Sequence, residues 1–325
     1  MSRPLRLDFH GAIHLVRMCG QQGFNIYFDA SVLARPSVER WRGVPRLLRF
    51  FSLLDACCWE CGAQLFGYCV EPNEASLAMR TLGAPLEALM QRLGGRYSRY
   101  LHLTDALPKH VAAFAARYES RVVAPEYLPY AVRRVHARPL SVGLARRAID
   151  YPFSSASAYV GERVPVHLET AVVWRALEQK GLFGLQGYRG FMEKAETPYV
   201  AQLFEQGSPL DARVVGDRAF VVKARDAARH RAAPPSREQL IGGVAERLGV
   251  RVEDLFGHGH EAVLGRALVA WFALNSGSAS VREVGTWFGV SGATLGKAIR
   301  HYRDAAPALF HDAPPGLDLD HQVDE

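Results

Sequence analysis

Long apolar runs are missing from this sequence of 325 residues: no stretch reaches the roughly 18 consecutive apolar residues that a membrane-spanning helix needs. Arg3 and Arg6 stand near the start, but His10 and His14 interrupt the segment that follows. A signal peptide requires an uninterrupted apolar region after its basic start. We therefore expect a cytoplasmic protein that has no membrane partner.

The sequence also has few cysteines, and they cannot all pair with one another. The chain has five cysteines, an odd number, and Cys57, Cys58 and Cys61 are crowded together. This pattern argues against a disulfide framework and is typical of a reducing compartment. Cys58 and Cys61 form a CxxC motif without a clear second pair, so buried thiols are favoured over a zinc site. The motif His258-x-His260 follows a glycine and has no carboxylate cluster nearby, which favours exposed or structural histidines.

Acidic residues are fewer than basic residues in this sequence. The 39 Lys and Arg residues exceed the 33 Asp and Glu residues, which gives a formal charge of +6 and a pI near 9.1. Such a balance favours a polyanionic partner such as nucleic acid. The segment 306–325 differs, because it contains five acidic residues and no Lys or Arg. We expect it to be a disordered acidic tail.

The first half of the chain mixes strand-like and helix-like patterns. Ala12–Val16 and Leu65–Val70 are candidate strands, whereas 44–54 and 86–93 carry apolar residues at helical spacing. A strand-helix-strand-strand-helix-strand order gives a split βαβ, ferredoxin-like antiparallel sheet. The predicted fold class is α+β, with this sheet in a domain over residues 1–161.

The second half is predicted to be helical. Residues 162–233 have short amphipathic pieces, at 173–177 and 220–227, and indicate a helical connector. Pro234-Pro235 then marks a boundary, and Ser236 with Gln239 forms a capping box that starts a helix. A compact all-α domain is expected over residues 234–305.

Within that domain the pattern is typical of a helix-turn-helix. Ser280 and Glu283 form a second capping box, Gly289-Val290-Ser291 is the turn, and a last helix runs from Gly292 to about Asp304. Leu295, Ile299 and Tyr302 are spaced by four and three, so they share one face and should be buried. Two short helices joined by a glycine-containing turn match the motif.

The opposite face of the last helix is predicted to meet DNA. It carries Thr294, Lys297, Arg300 and His301, which could contact base edges or phosphates. The backbone amides after Ser291 could hold a phosphate. The alternative is an ordinary helical bundle whose basic face is only solvated, and both interpretations predict the same core.

Several motifs follow one another over roughly residues 2–304. They are Arg3-Pro4-Leu5-Arg6-Leu7, Gly11-Ala12, Tyr68-Cys69-Val70-Glu71-Pro72-Asn73, Tyr97-Ser98-Arg99-Tyr100, 114–118, 127–159 and Gly216-Asp217-Arg218-Ala219-Phe220-Val221. In this order they resemble one family, the long REP-associated tyrosine transposases of the single-tyrosine HUH superfamily. The resemblance implies a ferredoxin-like domain that recognises single-stranded DNA hairpins, cleaves beside them and holds the cut end on a tyrosine. It also implies a last domain similar to the DNA-binding domain of the replication initiator DnaA.

The sequence departs from the family at the residues that carry the chemistry. The family's metal pair, two histidines after Pro-Asn, corresponds to Glu74 and Ser76. A carboxylate can bind Mg²⁺ or Mn²⁺, but a serine hydroxyl is a weak ligand. The family's nucleophilic tyrosine corresponds to Arg134, which cannot attack phosphorus, and Tyr130 lies one helical turn earlier.

Two main hypotheses follow. The first is a DNA-binding protein derived from a transposase, without nuclease activity or cofactor, that recognises hairpin or repeated palindromic DNA and is reused by the host as a regulator. Its DNA contacts would include Arg133, Arg134 and Arg138 beside the helix-turn-helix residues. The alternative is an active single-strand endonuclease that uses Glu74 with Mg²⁺ or Mn²⁺ and Tyr130 as a relocated nucleophile. An element remnant without a selected role is a third possibility, and the oligomeric state stays open.

Overall fold

The structure, a computed structural model, describes residues 7–29, 31–32, 44–229, 234–306 and 308–311. The opening motif as far as Arg6 lies outside the described residues, as do residues 307 and 312–325 of the acidic tail predicted for 306–325. Residues 308–311 of that predicted tail form a short helix, so the expectation of disorder does not hold for them. The chain divides into two compact units. Unit 1 comprises residues 1–59, 64–81 and 85–230, and unit 2 comprises residues 60–63, 82–84 and 231–325.

Unit 1 is built on a five-stranded sheet. Its strands are β1 (Ile13–Cys19), β2 (Ala63–Val70), β3 (Glu74–Thr81), β4 (Glu119–Val123) and β5 (Val214–Val215). The order across the sheet is β2-β3-β1-β4-β5, and β1 pairs antiparallel with both β3 and β4. The first four strands therefore have the split βαβ order. The predicted α+β fold class is confirmed.

The pleat of the strands separates an apolar face from a polar one. Val16 lies opposite Leu77 in the register of β1 and β3, and both side chains are fully buried. The next residue along, Arg17, lies opposite Ser76 and therefore projects from the other face. Glu74 shares that second face, because it precedes Ser76 by two residues.

Seven α-helices accompany the sheet in the described part of unit 1. They are α1 (Pro45–Cys61), α2 (Leu86–Leu103), α3 (Leu128–Ser141), α4 (Thr170–Glu178), α5 (Gly184–Glu193), α6 (Pro198–Gln206) and α7 (Arg218–Arg229). The two helices predicted at 44–54 and 86–93 correspond to α1 and α2. Helix α3 packs against β3 and also approaches β2, where a Cβ on Gly67 would lie only 3.1 Å from Nε2 of His136.

A buried hydrogen-bond network ties α3 to its surroundings. Nδ1 of His136 lies 2.8 Å from the Tyr188 hydroxyl, and Nε2 lies 2.8 Å from the Ser155 hydroxyl. The backbone N–H of Tyr68 in β2 donates to the same Ser155 hydroxyl at 2.8 Å. Complete burial disfavours the charged imidazolium and lowers the pKa of His136 to about 3.

The segment predicted as a connector differs from expectation in one respect. Its helices are present, since 173–177 lies in α4 and 220–227 lies in α7, but they belong to unit 1, which extends to residue 230. Val214–Val215 adds β5 parallel to β4, and Val221 of α7 packs with Val122 and Val214. The segment thus buries Val214 and Val221 beside the sheet and packs α4 against α3, so it is part of unit 1 and not a separate linker.

Unit 2 is all-α in its described residues from 234 onward. Its α-helices are α8 (Arg237–Leu248), α9 (His260–Ser276), α10 (Val281–Trp287), α11 (Gly292–Ala305) and α12 (Ala308–His311). Both predicted capping boxes are present, at Ser236 with Gln239 and at Ser280 with Glu283. Helix α9 is the centre of the unit, because α8, α10, α11 and α12 all pack against it. In the part of the chain that the structure describes, we find no helix long and apolar enough to cross a bilayer.

Candidate nucleic-acid interface

Helices α10 and α11 are joined by a short turn, as predicted for the two arms of a helix-turn-helix. Ser280 caps α10: its backbone N–H donates to the Glu283 carboxylate at 2.7 Å, and the N–H of Glu283 donates back to the Ser280 hydroxyl at 3.2 Å. The connection begins at Phe288, and Gly289 adopts a left-handed backbone with a φ of 65°. A residue with a Cβ would be strained there, which explains why glycine occupies the first position of the turn.

A second glycine sets the distance between the two arms. A Cβ on Gly285 of α10 would lie 2.5 Å from the carbonyl oxygen of Val290. Because real Cβ atoms do not approach an oxygen so closely, only glycine lets the turn fold back against α10. The tight turn of the motif is therefore encoded by Gly285 and Gly289 together.

Helix α11 has the two faces that its sequence predicts. Leu295, Ile299 and Tyr302 are buried, and α11 packs with this side against α9 and α10. The polar set on the other side is exposed and consists of Thr294, Lys297, Arg300 and His301. The spacing argument for the core of α11 is confirmed. The exposed set forms one continuous polar and basic surface, which we call the α11 surface.

The first turn of α11 is closed by Ser291. The Thr294 N–H donates to the Ser291 hydroxyl at 3.0 Å, and the two side-chain hydroxyls lie 2.8 Å apart. Ser291 is exposed, as a DNA-contacting residue must be, but its hydroxyl serves the helix as an N-cap. A phosphate contact at this end would come from the backbone amides and from Thr294.

A second cluster of functional candidates lies on the polar face of the sheet in unit 1. The Glu74 carboxylate lies between two arginines: Nη2 of Arg17 donates to Oε2 at 2.6 Å, and Nη2 of Arg138 lies 3.1 Å from Oε1. Nε of Arg138 also lies 3.0 Å from a carboxylate oxygen of Glu71. These four residues, Arg17, Glu71, Glu74 and Arg138, form what we call the arginine-carboxylate cluster.

The cluster does not fit a divalent metal ion. Two guanidinium groups already contact the Glu74 carboxylate, and a cation bound there would stand close to both positive charges. Ser76 supplies only a hydroxyl, and the described residues contain no group of three His, Cys, Asp or Glu side chains placed to hold a metal. Glu74 is therefore part of an ion-pair network, and Ser76 adds no charged ligand to it.

The electrostatics differ between the members of the cluster. The hydrogen bond to Glu74 raises the pKa of the Arg17 guanidinium above its ordinary value, so the charged form is stabilised. Burial is the main cause that raises the pKa of the Glu71 carboxyl, and it also raises the pKa of the neighbouring Cys19 thiol. Cys19 is thereby kept as a neutral thiol, which is a poor nucleophile.

The structure turns Arg133 and Arg134 toward other protein groups. Arg133 is only 5% exposed, donates to the carbonyl oxygens of Phe191 and Lys194 and forms an ion pair with Glu196 at 2.9 Å. Arg134 forms a two-point ion pair with the same carboxylate. Both arginines were predicted to contact DNA, and in unit 1 both guanidiniums pair with the Glu196 carboxylate.

Tyr130 lies among side chains of the same region. Its ring packs edge-on against Phe191 with centroids 5.1 Å apart, and the Arg133 guanidinium and the Lys180 ammonium lie 5.3 Å and 5.4 Å from its centre. These contacts fix the ring beside α5. Tyr130 and Arg138, which lie on the same helix, thus have different neighbours, since Arg138 contacts the sheet cluster.

The remaining metal candidates of the sequence are not brought together. Cys58 and Cys61 are buried thiols of α1 that form no disulfide. His258 and His260 are exposed at the start of α9, and the ring of His260 packs against Tyr302. Neither pair gains a third ligand among the described residues.

Sequence reasoning missed Arg17 and Glu71. A signal for Arg17 was present, because the alternation of Val16 and Met18 as buried residues continues β1 to Cys19 and puts Arg17 on the polar face. The predicted strand ended at Val16, one residue too early to show it. Nothing local indicates that Glu71, in the turn after β2, contacts a helix that is 67 residues away in the sequence.

No family model matches this chain. No curated protein matches it at a significant level. Among solved structures, the chain is similar to a REP-associated tyrosine transposase bound to a REP hairpin, with a TM-score of 0.37 and 11% sequence identity, over 52% of this chain and 93% of that chain.

Proposed function

We propose that this protein binds DNA through the α11 surface and does not cut it. One observation carries the proposal: a capped helix, a glycine turn and an amphipathic helix place Thr294, Lys297, Arg300 and His301 on one exposed side, opposite a buried core. A helix of this kind enters the major groove of duplex DNA and contacts base edges with its N-terminal residues.

The chemistry of the α11 surface suits that role. Lys297 lies near the middle of the helix and can donate to the O6 and N7 atoms of guanine, whereas the methyl group of Thr294 can contact thymine. Arg300 and His301 follow toward the C-terminus, where side chains of a recognition helix meet phosphates. The formal charge of +6 on the whole chain favours association with a polyanion.

The absence of cutting is the second part of the proposal. Arg134 occupies the position of the family's nucleophile and is held by Glu196, and Glu74 at the position of a metal ligand is held by two arginines. The natural targets would be hairpins or repeated palindromic DNA, as the resemblance implies. The host would use the protein as a regulator. An active endonuclease would have to recruit Tyr130, whose ring packs with Phe191 and two cationic side chains.

The test measures duplex affinity by fluorescence anisotropy with the full chain and a labelled duplex of random sequence, at several salt concentrations. Lys297→Ala and Arg300→Ala remove one positive charge each from the α11 surface. Each lost phosphate contact should weaken binding and reduce the slope of log K against log salt by about 0.9. A loss that depends on base sequence would identify a base contact instead.

Arg251→Ala is the matched control. Arg251 is an exposed arginine of unit 2 that pairs with Asp254 and lies outside α10 and α11, so this variant removes the same charge without touching the α11 surface. We expect it to leave the affinity nearly unchanged. Equal losses in all three variants would mean that charge alone drives binding, and unchanged binding in Lys297→Ala and Arg300→Ala would remove the α11 surface from the account.

A further inference from the structure

A second surface of unit 1 carries polar and aromatic side chains that the proposed function does not use. One side of α6 and the loop over residues 207–212 border a cavity of about 390 Å³. Helix α6 contributes Tyr199, Gln202, Leu203 and Gln206, whose spacing of three, one and three places them on one face of the helix. We call this cavity the α6 groove. It contains no residue of the arginine-carboxylate cluster, so it is a different site from the one that the resemblance implies.

The loop wall of the α6 groove is held in shape by the protein itself. Gly207 has a left-handed φ of 80°, and a Cβ there would collide with the carbonyl group of Ala212, so only glycine lets the loop close on itself. The N–H of Ser208 donates to the carbonyl oxygen of Val214 at 2.7 Å, and the N–H of Asp211 donates to that of Ser208 at 3.0 Å. The groove is therefore formed before any ligand arrives, as most small-ligand sites are.

The α6 groove offers no cation to a ligand. Its lining, which consists of described residues only, includes no Lys, Arg or His, and its one carboxylate belongs to Asp211. That carboxylate lies 2.7 Å from Nη2 of Arg213 and 3.0 Å from Nε of Arg225. The hydrogen bonds from Arg213 are the main cause that holds the pKa of Asp211 well below its ordinary value, so the carboxylate stays ionised and paired. A phosphate group would meet no positive charge in the groove, so an uncharged ligand fits it better.

Tyr199 gives the α6 groove one flat aromatic surface. The residue is 55% exposed, and it is the single aromatic member of the lining. Its hydroxyl is hydrogen-bonded to that of Tyr127, whose pKa is raised to about 12 by burial and by this neighbour. Buried Leu203 and exposed Leu210 add apolar area to the same groove. An exposed ring with apolar neighbours is a platform on which another planar ring stacks.

Two amide side chains stand on the same face of α6. Nε2 of Gln202 donates to Oε1 of Gln206 at 3.4 Å, one helical turn further along. This bond leaves the Gln202 carbonyl oxygen as an acceptor and the Gln206 amino group as a donor. The adenine base presents a complementary pair on one edge, because its N6 amino group donates and its N7 atom accepts. A base with an oxygen in place of N6 would set that oxygen against the Gln202 carbonyl.

We propose that the α6 groove binds an uncharged adenine nucleoside such as adenosine. The base stacks on Tyr199, and its N6 and N7 atoms bond to Gln202 and Gln206. A volume of about 390 Å³ is at the small end of ligand pockets, which suits one base with its ribose. The α11 surface and DNA take no part in this binding, so the inference goes beyond the proposed function and does not depend on it.

The test is isothermal titration calorimetry of the full chain with adenosine, inosine and adenosine monophosphate at two salt concentrations. Adenosine should bind with an affinity that does not change with salt, because an uncharged ligand releases no counterions. Inosine has an oxygen in place of the N6 amino group and should bind about tenfold more weakly. Adenosine monophosphate should bind no more tightly than adenosine, since no Lys, Arg or His lines the described groove.

Three substitutions assign the binding to its parts. Tyr199→Ala removes the stacking ring and should weaken adenosine binding about tenfold. Gln202→Leu and Gln206→Leu each remove one hydrogen bond to the base and should weaken binding about fivefold. Gln202→Leu should also bring the affinities for adenosine and inosine together, because the acceptor that distinguishes N6 from an oxygen is gone.

Two further variants serve as controls. Gln186→Leu changes an exposed glutamine of α5 that does not line the groove, so it should bind adenosine as the unchanged protein does. Tyr199→Phe keeps the ring and loses only the hydroxyl, so it should retain most of the affinity. This variant protects the test against a misfolded Tyr199→Ala.

Three outcomes would overturn the proposal. The first is no binding of adenosine at millimolar concentration. The second is equal affinity of the unchanged protein for adenosine and inosine, or unchanged adenosine affinity in all three substitutions. The third is tighter binding of adenosine monophosphate or of an oligoadenylate than of adenosine, because the groove would then take a phosphate group or a strand. Failure of duplex binding by the α11 surface would leave all of these measurements interpretable.

Discussion

The α11 surface and the arginine-carboxylate cluster are built in opposite ways. The α11 surface depends on residues close together in the sequence, from the Ser280 cap to the buried Tyr302. The cluster depends on ion pairs between distant residues, such as Arg17 with Glu74, which are 57 residues apart. A surface on one helix can therefore be predicted from the spacing of its apolar residues. A surface assembled across strands depends on ion-pair partners that this spacing does not reveal.

The largest effect is expected for Glu196, which also forms ion pairs with residues distant in the sequence, Arg133 and Arg134. Glu196→Ala leaves the nearly buried Arg133 without its carboxylate, and removal of one partner of such a pair costs about 3 kcal/mol. Urea unfolding of the full chain should show this loss in the transition of unit 1. Duplex affinity should stay unchanged, because neither arginine belongs to the α11 surface.

Glu193→Ala is the control for that prediction. Glu193 is exposed at the end of α5, and surface substitutions of this kind usually change stability by less than about 0.5 kcal/mol. A similar small effect of Glu196→Ala would show that Arg133 and Arg134 do not depend on this carboxylate. That result would favour the prediction that Arg133 and Arg134 contact DNA.

A smaller effect is expected from pH, through His136. Its pKa is lowered from 6.5 to about 3 by burial, so the folded state keeps it neutral while the unfolded state gains a proton below about pH 6.5. Stability should therefore fall as the pH drops from about 6.5 toward 3, by about 2 kcal/mol between pH 7 and pH 5. Urea unfolding at the two pH values measures this loss.

The matched variants are His136→Gln and His167→Gln. His136→Gln should remove that part of the pH dependence, because glutamine does not titrate. His167 is exposed and pairs with Glu169, so His167→Gln should keep the full loss. An unchanged pH dependence in His136→Gln would contradict the assignment of His136 as a neutral buried group.

The smallest effect concerns the turn between α10 and α11. Gly289→Ala places a Cβ on a left-handed residue and should cost about 1 kcal/mol of stability in unit 2. Gly242→Ala provides a control of opposite sign, because Gly242 lies inside α8 with open space around it and alanine favours a helix. Equal effects of the two substitutions on thermal unfolding would mean that residue 289 does not have a left-handed backbone.

Elements with a periodic pattern could be predicted from the sequence, and elements without one could not. Leu295, Ile299 and Tyr302 share a helix face by spacing alone, and the two capping boxes mark their helices by residue type, so α8, α10 and α11 were foreseen. Strand β5 has only two residues, too few for any alternation to show. Its place in the sheet depends on the register of β4, which lies about 90 residues earlier.

The candidate site residues also differ in whether the sequence pattern predicts their surroundings. The exposed residues of α11 follow from the position of its core, since a helix with one buried face must expose the other. The partners of Arg133 and Arg134 do not follow from α3, because Glu196 lies 62 residues beyond Arg134. The carboxylate that pairs with Arg133 and Arg134 could therefore not be predicted from the run of arginines in the sequence.

The most direct measurement of the central claim incubates the full chain with a labelled single-stranded DNA hairpin and Mn²⁺, and resolves the same sample on native and denaturing gels. The account predicts a shifted band on the native gel and an intact, protein-free hairpin on the denaturing gel. A covalent protein-DNA band that disappears in Tyr130→Phe would contradict it, because Tyr130 would then be a working nucleophile and the protein a transposase in activity.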